Sequence, residues 1–310
     1  MGKVKRSLSL LIVICSLAFV SSSSFAQGSF AGVELSIEHV QGNVYMVKRP
    51  GGGGNIGVQV GPDGVLLVDA LFAPLADRLV AAIKEVTDEE IRFLINTHIH
   101  GDHVGGNENL ANLGVLIFAH DNTRTKFLEE SSHFPRQGGS FAPQQAAGGR
   151  PLITYDSAIG FHLNGEEVRA FLAPPSHTDG DTFVYFPESD VLHLGDVFRT
   201  TSYPIIDKFN GGTLRGTIAA LDLAISMAGP DTKVIPGHGL EIGGRVEMQE
   251  FLDMILDIRD QVYTMIREGK HLDEVMEAAA AAIYAAEWGQ AAGWTESDIV
   301  PLGVYDLRVA

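Results

Sequence analysis

The sequence predicts an α/β sandwich: two mixed β-sheets packed face to face, with helices on their outer faces. Three observations carry this reading. Strand-like runs followed by helical runs occur in both halves of the chain. Ile91 to Ile95 is a continuous apolar run of the kind a strand buried on both faces requires. No interior shift of composition marks a second domain. With 310 residues, 45% of them hydrophobic, the chain has material for one large core.

The first 26 residues stand apart from this fold. Lys3, Lys5 and Arg6 form a basic start, Leu8 to Val20 is apolar, and Ser24-Phe25-Ala26 offers the small residues that signal peptidase accepts. The apolar run is too short for a bilayer, which needs roughly 20 residues. A leader cut after Ala26 is therefore expected, with residues 27–310 as one domain, no stable membrane anchor, and a periplasmic or secreted destination. Cutting there moves the formal charge from −17 to −20. Such acidity disfavours a nucleic-acid partner and leaves a small-molecule substrate. Oligomeric state is open. The single cysteine, Cys15, leaves with the leader, so a metal in the mature chain must be held by nitrogen and oxygen.

After the leader, Glu34 to Val40 and Asn43 to Lys48 read as strands, followed by a glycine-rich Pro50 to Gly54 segment. Ile56 to Val60 and Val65 to Val68 are strands on either side of the turn Gly61-Pro62-Asp63-Gly64. Leu75, Leu79, Val80 and Ile83 have helical spacing within Pro74 to Val86. Ile91 to Ile95 is followed by a helix near Asn107 to Leu113, a strand Val115 to Phe118 and a helix Asp121 to Glu129. Phe134 to Arg150 has no period and reads as a surface loop. Strands resume from Leu152 to Leu194. Thr213 to Met227 is a helix, Lys233 to Ile235 a strand, Val246 to Arg267 a long amphipathic helix, and Leu272 to Tyr284 a final helix. Trp288 and Trp294 after it suit either the core or a dimer face.

The chemistry is concentrated in Thr97-His98-Ile99-His100-Gly101-Asp102-His103, directly after the Ile91 to Ile95 strand. Three histidines and an aspartate this close together are not explained by core packing. Alternate residues on an extended backbone share a face, so His98 and His100 can address one ion. A change of direction at Gly101 turns Asp102 and His103 toward a neighbouring one. Imidazole nitrogen and carboxylate oxygen suit zinc, and iron or manganese fit the same donors. Further candidates stand at later strand ends: His177 in Pro175-Ser176-His177-Thr178, Asp196 after Leu194-Gly195, and His238 in Pro236-Gly237-His238-Gly239.

On these motifs the chain resembles the metallo-β-lactamase superfamily of metal-dependent hydrolases, whose mark is H-x-H-x-D-H followed by a later His, Asp and His. The resemblance implies the αββα form of the sandwich and two zinc ions. His98, His100 and His177 would hold the first ion. Asp102, His103 and His238 would hold the second, with Asp196 bridging both. It implies water ionised between the ions, with Asp102 orienting it. Asp69, which ends the Val65 to Val68 strand, would support a ligand histidine or serve only as a cap. Thr97 and Thr178 would buttress the ligands beside them. The other six histidines, His39, His120, His133, His162, His193 and His271, are given no role.

The layout is most similar to exported metallo-β-lactamases that carry a cysteine at the second zinc. By that likeness Arg199, three residues after Asp196, would grip a substrate carboxylate, and Asn210 would help polarise the scissile carbonyl. Asp196 in place of the cysteine is the departure, and it is similar instead to thioester, ester and lactone hydrolases. The implied activity is hydrolysis of a cyclic amide, ester or lactone, with β-lactam turnover included. Two alternatives stand beside it: an iron-dependent persulfide dioxygenase type, and a periplasmic accessory zinc protein of a quinoprotein system.

Overall fold

Short apolar strands joined by tight turns pair with their neighbours in chain order, and that rule builds most of this molecule. A computed structural model describes residues 30–128, 147–239, 241–278 and 280–289. The leader read over residues 1–26, most of the Phe134 to Arg150 loop, and Trp294 lie outside the described residues.

Strands β1 (Ser36–Gln41), β2 (Val44–Lys48), β3 (Ile56–Gln59) and β4 (Val65–Val68) form an antiparallel meander. β5 (Ile91–Ile95), β6 (Leu116–His120) and β7 (Ile153–Tyr155) then join in parallel, which completes a seven-stranded sheet in chain order. Parallel neighbours need a crossover. α1 (Ala76–Ile83) supplies the first, entered through a 3-10 turn at Ala73–Leu75 that uses Pro74. Two short helices, α2 (Gly101–Val104) and α3 (Asn107–Ala111), lie in the second crossover, and α4 (Asp121–Leu128) follows β6.

The second sheet repeats the scheme. β8 (Ala158–Leu163), β9 (Glu166–Leu172), β10 (Thr182–Phe186) and β11 (Val191–His193) run antiparallel in sequence. α5 (Leu214–Met227) then returns the chain so that β12 (Lys233–Ile235) pairs in parallel with β11. α6 (Arg245–Arg267) follows. Met46, Leu66, Val68, Ile95 and Phe118 of the first sheet pack against Phe161, Val168, Val184, Phe186 and Ile235 of the second. Phe183, Leu192 and Val234, on the far side of the second sheet, are covered by Leu221, Ala224, Phe251 and Ile255 of α5 and α6. Each such side chain stabilises the fold by roughly 1.5–3 kcal/mol relative to exposure. The two mixed sheets with outer helices are the sandwich that the sequence predicts.

Two details differ from the sequence reading. β5 is not buried on both faces: Arg92 is exposed, Ile91 and Phe93 are half-buried, and only Leu94 and Ile95 are enclosed. Its first half borders the turn after β3, where Arg92 Nη1 donates to the Asp63 carbonyl at 2.8 Å. The final helix is also broken. α7 (Leu272–Glu277) stops, a 3-10 turn spans Ala282–Tyr284, and α8 (Ala285–Trp288) closes the described chain. At that turn the Ala281 carbonyl accepts from both the Tyr203 hydroxyl, at 2.6 Å, and the Tyr284 amide, at 3.0 Å. Trp288 is buried, with its ring 5.1 Å from that of Phe251, so it belongs to the core.

Candidate metal centre

β4 and β5 run parallel in the first sheet, and β9, β11 and β12 share one direction in the second. The loops after their C-terminal ends therefore open on a common rim. Asp69 follows β4, and Thr97 to His103 follows β5. His177 follows β9, Asp196 lies on a 3-10 turn (Gly195–Val197) after β11, and His238 follows β12. Close backbone approach needs glycine at this rim. A Cβ on Gly237 would lie 2.3 Å from Asp196 Oδ1, and one on Gly54 would lie 2.6 Å from His103 Cε1.

The structure brings all seven expected metal ligands together. Three overlapping groups each place their nitrogen and oxygen atoms within 4.8 Å of one another: His98, His100 and His177; His98, His103 and Asp196; Asp102, His103 and His238. His98, His103, His177 and Asp196 form a buried floor. The side chains of His100, Asp102 and His238 are 14%, 18% and 15% exposed, so the cluster opens to solvent on their side.

The outer hydrogen bonds decide which imidazole nitrogens face inward. His100 Nε2 donates to Asp207 Oδ2 at 2.8 Å, which leaves Nδ1 as an acceptor. His177 Nδ1 donates to the Ile205 carbonyl at 2.6 Å, which leaves Nε2. Those two acceptor nitrogens face each other at 2.8 Å. His103 Nδ1 donates to Asp69 Oδ2 at 2.7 Å and turns Nε2 inward, 3.1 Å from Asp196 Oδ1 and 3.5 Å from His238 Nε2. Thr97 Oγ1 gives its proton to Asp69 at 2.7 Å and accepts from His98 Nδ1 at 3.0 Å. His98 Nε2 is then buried without a hydrogen-bond partner, as is Asp196 Oδ1. Lone pairs aimed at one another across such distances are stable only with positive charge between them, and the all-nitrogen-and-oxygen donor set fits zinc, iron or manganese.

The electrostatics agree. Burial, with His103 and His177 close by, holds His98 well below the ordinary imidazole range. Burial and His100 bring His177 down to about 3, so both are neutral ligands. Burial would lower His103 too, but Asp196, Asp102 and Asp69 outweigh it and hold this imidazole well above its usual range, so without a cation its inward nitrogen keeps a proton that a bound metal would displace. Burial would raise Asp196, but His238 and Arg199 outweigh it and keep the carboxyl far below the normal range. Asp196 is thus ionised while His98 and His177 are neutral, the states in which each can donate to a cation.

Asp69 is placed as a support rather than as a cap. It has a positive φ of 71°, and it accepts from the Thr97 amide as well as from the Thr97 hydroxyl and His103. Thr178 does not touch a ligand side chain in these bonds; its hydroxyl and amide both donate to buried Asp181.

Arg199 and Asn210 are not presented to a substrate as the sequence reading expects. Arg199 is buried, donating from Nη1 to Asp196 Oδ2 at 2.6 Å and from Nε to Ser202 Oγ at 2.7 Å. The turn after β11 brings residue 199 back over residue 196, so the guanidinium finds a carboxylate inside the protein. Asn210 is fully buried and its amide nitrogen donates to Asp207 Oδ2. Asp207 itself, the outer partner of His100, is absent from the sequence reading. Its one local signal is a side chain that caps the 3-10 turn Lys208–Asn210 by accepting from the Phe209 and Asn210 amides.

The metallo-beta-lactamase superfamily model matches residues 49–239, more than half of the chain. The chain belongs to that superfamily. It is 25% identical over 260 residues to the linear primary-alkylsulfatase of Pseudomonas sp. (strain ATCC 19151), covering 70% of this chain and 48% of that protein. It is 22% identical over 193 residues to a metallo-beta-lactamase type 2 of Bacillus cereus, covering 62% of this chain and 69% of that one. The chain thus spans about half the length of the alkylsulfatase and about two thirds of the lactamase. Among solved structures, a metallo-beta-lactamase from Pontibacter korlensis superposes with a TM-score of 0.59 at 18% identity, covering 72% of this chain and all of that one, which shows the shared fold. A metallo-beta-lactamase fold binds metal ions, and the residues that converge here are of the kind that does so.

Proposed function

We propose that this metallo-beta-lactamase superfamily member is a zinc-dependent hydrolase that opens a cyclic amide, ester or lactone at a two-ion centre. The observation that carries the proposal is the inward tautomer of His98, His100, His103 and His177, each set by its own outer hydrogen bond. When bound, two such cations supply Lewis acidity and ionise water at a pKa of about 7. His98, His100 and His177 would hold one, while Asp102, His103 and His238 would hold the other, and Asp196 lies between the two sets.

The chain's own side chains divide the remaining work. Asp102 is the carboxylate nearest solvent, and its pKa is lowered because His103 and His238 outweigh its burial. It therefore stays charged and orients the attacking water rather than storing its proton. Substrate approaches over His100, Asp102 and His238, the exposed edge. With Arg199 turned to Asp196 and the Asn210 amide given to Asp207, neither holds a β-lactam carboxylate or carbonyl. Ester and lactone bonds are accordingly placed ahead of β-lactams. Neither the persulfide dioxygenase nor the accessory reading draws support from the matched family or relatives.

The test is a panel: an aryl ester, a lactone, nitrocefin, imipenem and a primary alkyl sulfate, offered to zinc-loaded and chelator-treated protein. Chelator-sensitive turnover of the ester or lactone is expected, with loss in His100→Ala and Asp102→Ala. Absence of chelator-sensitive turnover across the whole panel sinks the proposal. The leader reading places the reaction outside the cytoplasm, and a mature N-terminus at Gln27 in the periplasmic or secreted fraction is its check.

A further inference from the structure

Asp196 is the more enclosed of the two candidate ligand carboxylates, and it is surrounded by four nitrogen-bearing groups. Arg199 Nη1 stands at 2.6 Å, His103 Nε2 at 3.1 Å, His238 Nε2 at 3.2 Å and His177 Nε2 at 3.6 Å. Three of these are imidazoles that must be neutral to bind a metal. The fourth is a guanidinium, which keeps its charge under all ordinary conditions. It is also fixed in place. Nε is held by Ser202 Oγ, the backbone of Arg199 bridges that of His238, and the Thr200 amide donates to the His238 carbonyl at 3.1 Å. Both Arg199 and Asp196 side chains are about 95% buried, so water screens the pair weakly.

We infer that Arg199 is a built-in cation of the centre, a positioning residue that holds Asp196 in place before metal arrives and weakens binding of the cations between which Asp196 lies. The reasoning is electrostatic. A buried carboxylate with no fixed partner is free to turn away, and the anchored guanidinium of Arg199 holds Asp196 where it stands. The same fixed charge would repel any dication held by Asp196, because the two would share one carboxylate. It also draws electron density from Oδ2, which leaves Asp196 a poorer donor and the cation beside it more electrophilic. The centre would thereby trade affinity for Lewis acidity wherever Asp196 serves as a ligand.

This inference rests on the metal reading of the cluster, and the experiment separates the two. Zinc or cobalt is titrated into metal-free protein against a chromophoric chelator, for wild type, Arg199→Gln and Arg199→Lys. Glutamine keeps a donor toward Asp196 and loses the charge, whereas lysine keeps the charge. The weaker cation should bind about tenfold or more tightly in Arg199→Gln and within about threefold of wild type in Arg199→Lys. The metal-free form of Arg199→Gln should also unfold at lower temperature, so that the rise in midpoint on adding zinc is larger than in wild type. Equal affinities in all three proteins, or weaker binding in Arg199→Gln, overturn the inference while leaving the metal reading intact. No uptake by wild type overturns both. Should Arg199→Gln not fold, Ser202→Ala serves: it keeps the charge and loses one anchor. Its affinity must then stay within about threefold of wild type, and a tenfold rise overturns the inference.

Discussion

Asp207 Oδ2 lies 2.8 Å from His100 Nε2, and that one bond turns the other nitrogen of His100 toward His177. The carboxylate is itself held by the Phe209 and Asn210 amides and by the Asn210 side chain, and burial is outweighed by His100 so that its pKa is lowered. Outer partners of this kind are typically worth 10–100-fold in metal affinity. Asp207→Ala should therefore weaken zinc binding by about that factor while the circular dichroism of the fold is retained. Chelator competition measures it, and unchanged affinity would remove Asp207 from the centre.

Asp69 plays the corresponding part for His103, but with more bonds at stake. It accepts from the Thr97 amide, the Thr97 hydroxyl and His103 Nδ1, and it is fully buried. Asp69→Ala leaves these donors without an acceptor, and each unsatisfied group costs about 1–3 kcal/mol. The change should lower stability by roughly 3–5 kcal/mol even in chelator, where metal plays no part. Denaturant unfolding of the metal-free protein gives the number, and a loss below about 1 kcal/mol would contradict this bonding scheme.

Much of this centre is legible in the sequence because each ligand follows a recognisable apolar strand. Thr97 to His103 after Ile91–Ile95 and His238 after Lys233–Ile235 fall where the apolar runs stop. Asp207 is not legible in the same way. Its partner is 107 residues distant, and Pro204 to Asp207 has no period that fixes a side-chain direction. Arg199 shows a different limit. A spacing of three after Asp196 fits a side chain aimed at substrate and equally one folded back across a turn onto residue 196. Only the conformation of Gly195–Val197 separates these outcomes. The anchoring of the turn after α7 is hidden for a related reason, since the Tyr203 hydroxyl that donates to Ala281 stands 78 residues earlier in the chain.

Gly54 tests how tightly the glycine-rich segment closes on the centre. An added Cβ would stand 2.6 Å from His103 Cε1 and 2.8 Å from the Asp102 carbonyl, distances that require something to move. Asn55, its neighbour, is pinned by donating to the Pro236 and Gly239 carbonyls at 2.9 Å. The strain must therefore pass into His103 or the 49–54 segment. Gly54→Ala should fold, with zinc affinity at the Asp102–His103–His238 position reduced about tenfold or more. Gly52→Ala is the control, because its Cβ would meet nothing within 4 Å, although its φ of +98° adds backbone strain. Equal affinities in the two variants would mean that the segment does not bear on the centre.

His193 carries no ligand role, yet it ties this segment to the turn that bears Asp196. Nε2 donates to the Asn55 carbonyl at 3.2 Å, and Nδ1 accepts from the Gly195 amide at 3.2 Å. The bond from the Gly195 amide needs the neutral ring, and burial brings its pKa down from 6.5 to about 4. The folded form thus resists a proton that the unfolded chain takes up below about 6.5. Stability from this group is fully present above that pH and is lost as pH falls from about 6.5 to about 4, by on the order of 3 kcal/mol. His193→Asn removes this titration and should make the acid-side fall of the unfolding midpoint shallower, leaving the share of His98 and His177, at the cost of a lower midpoint at pH 7.5. The comparison is made in chelator, so that proton competition at the metal ligands does not add to the slope. An acid-side slope equal to that of wild type would place the pH sensitivity on other groups.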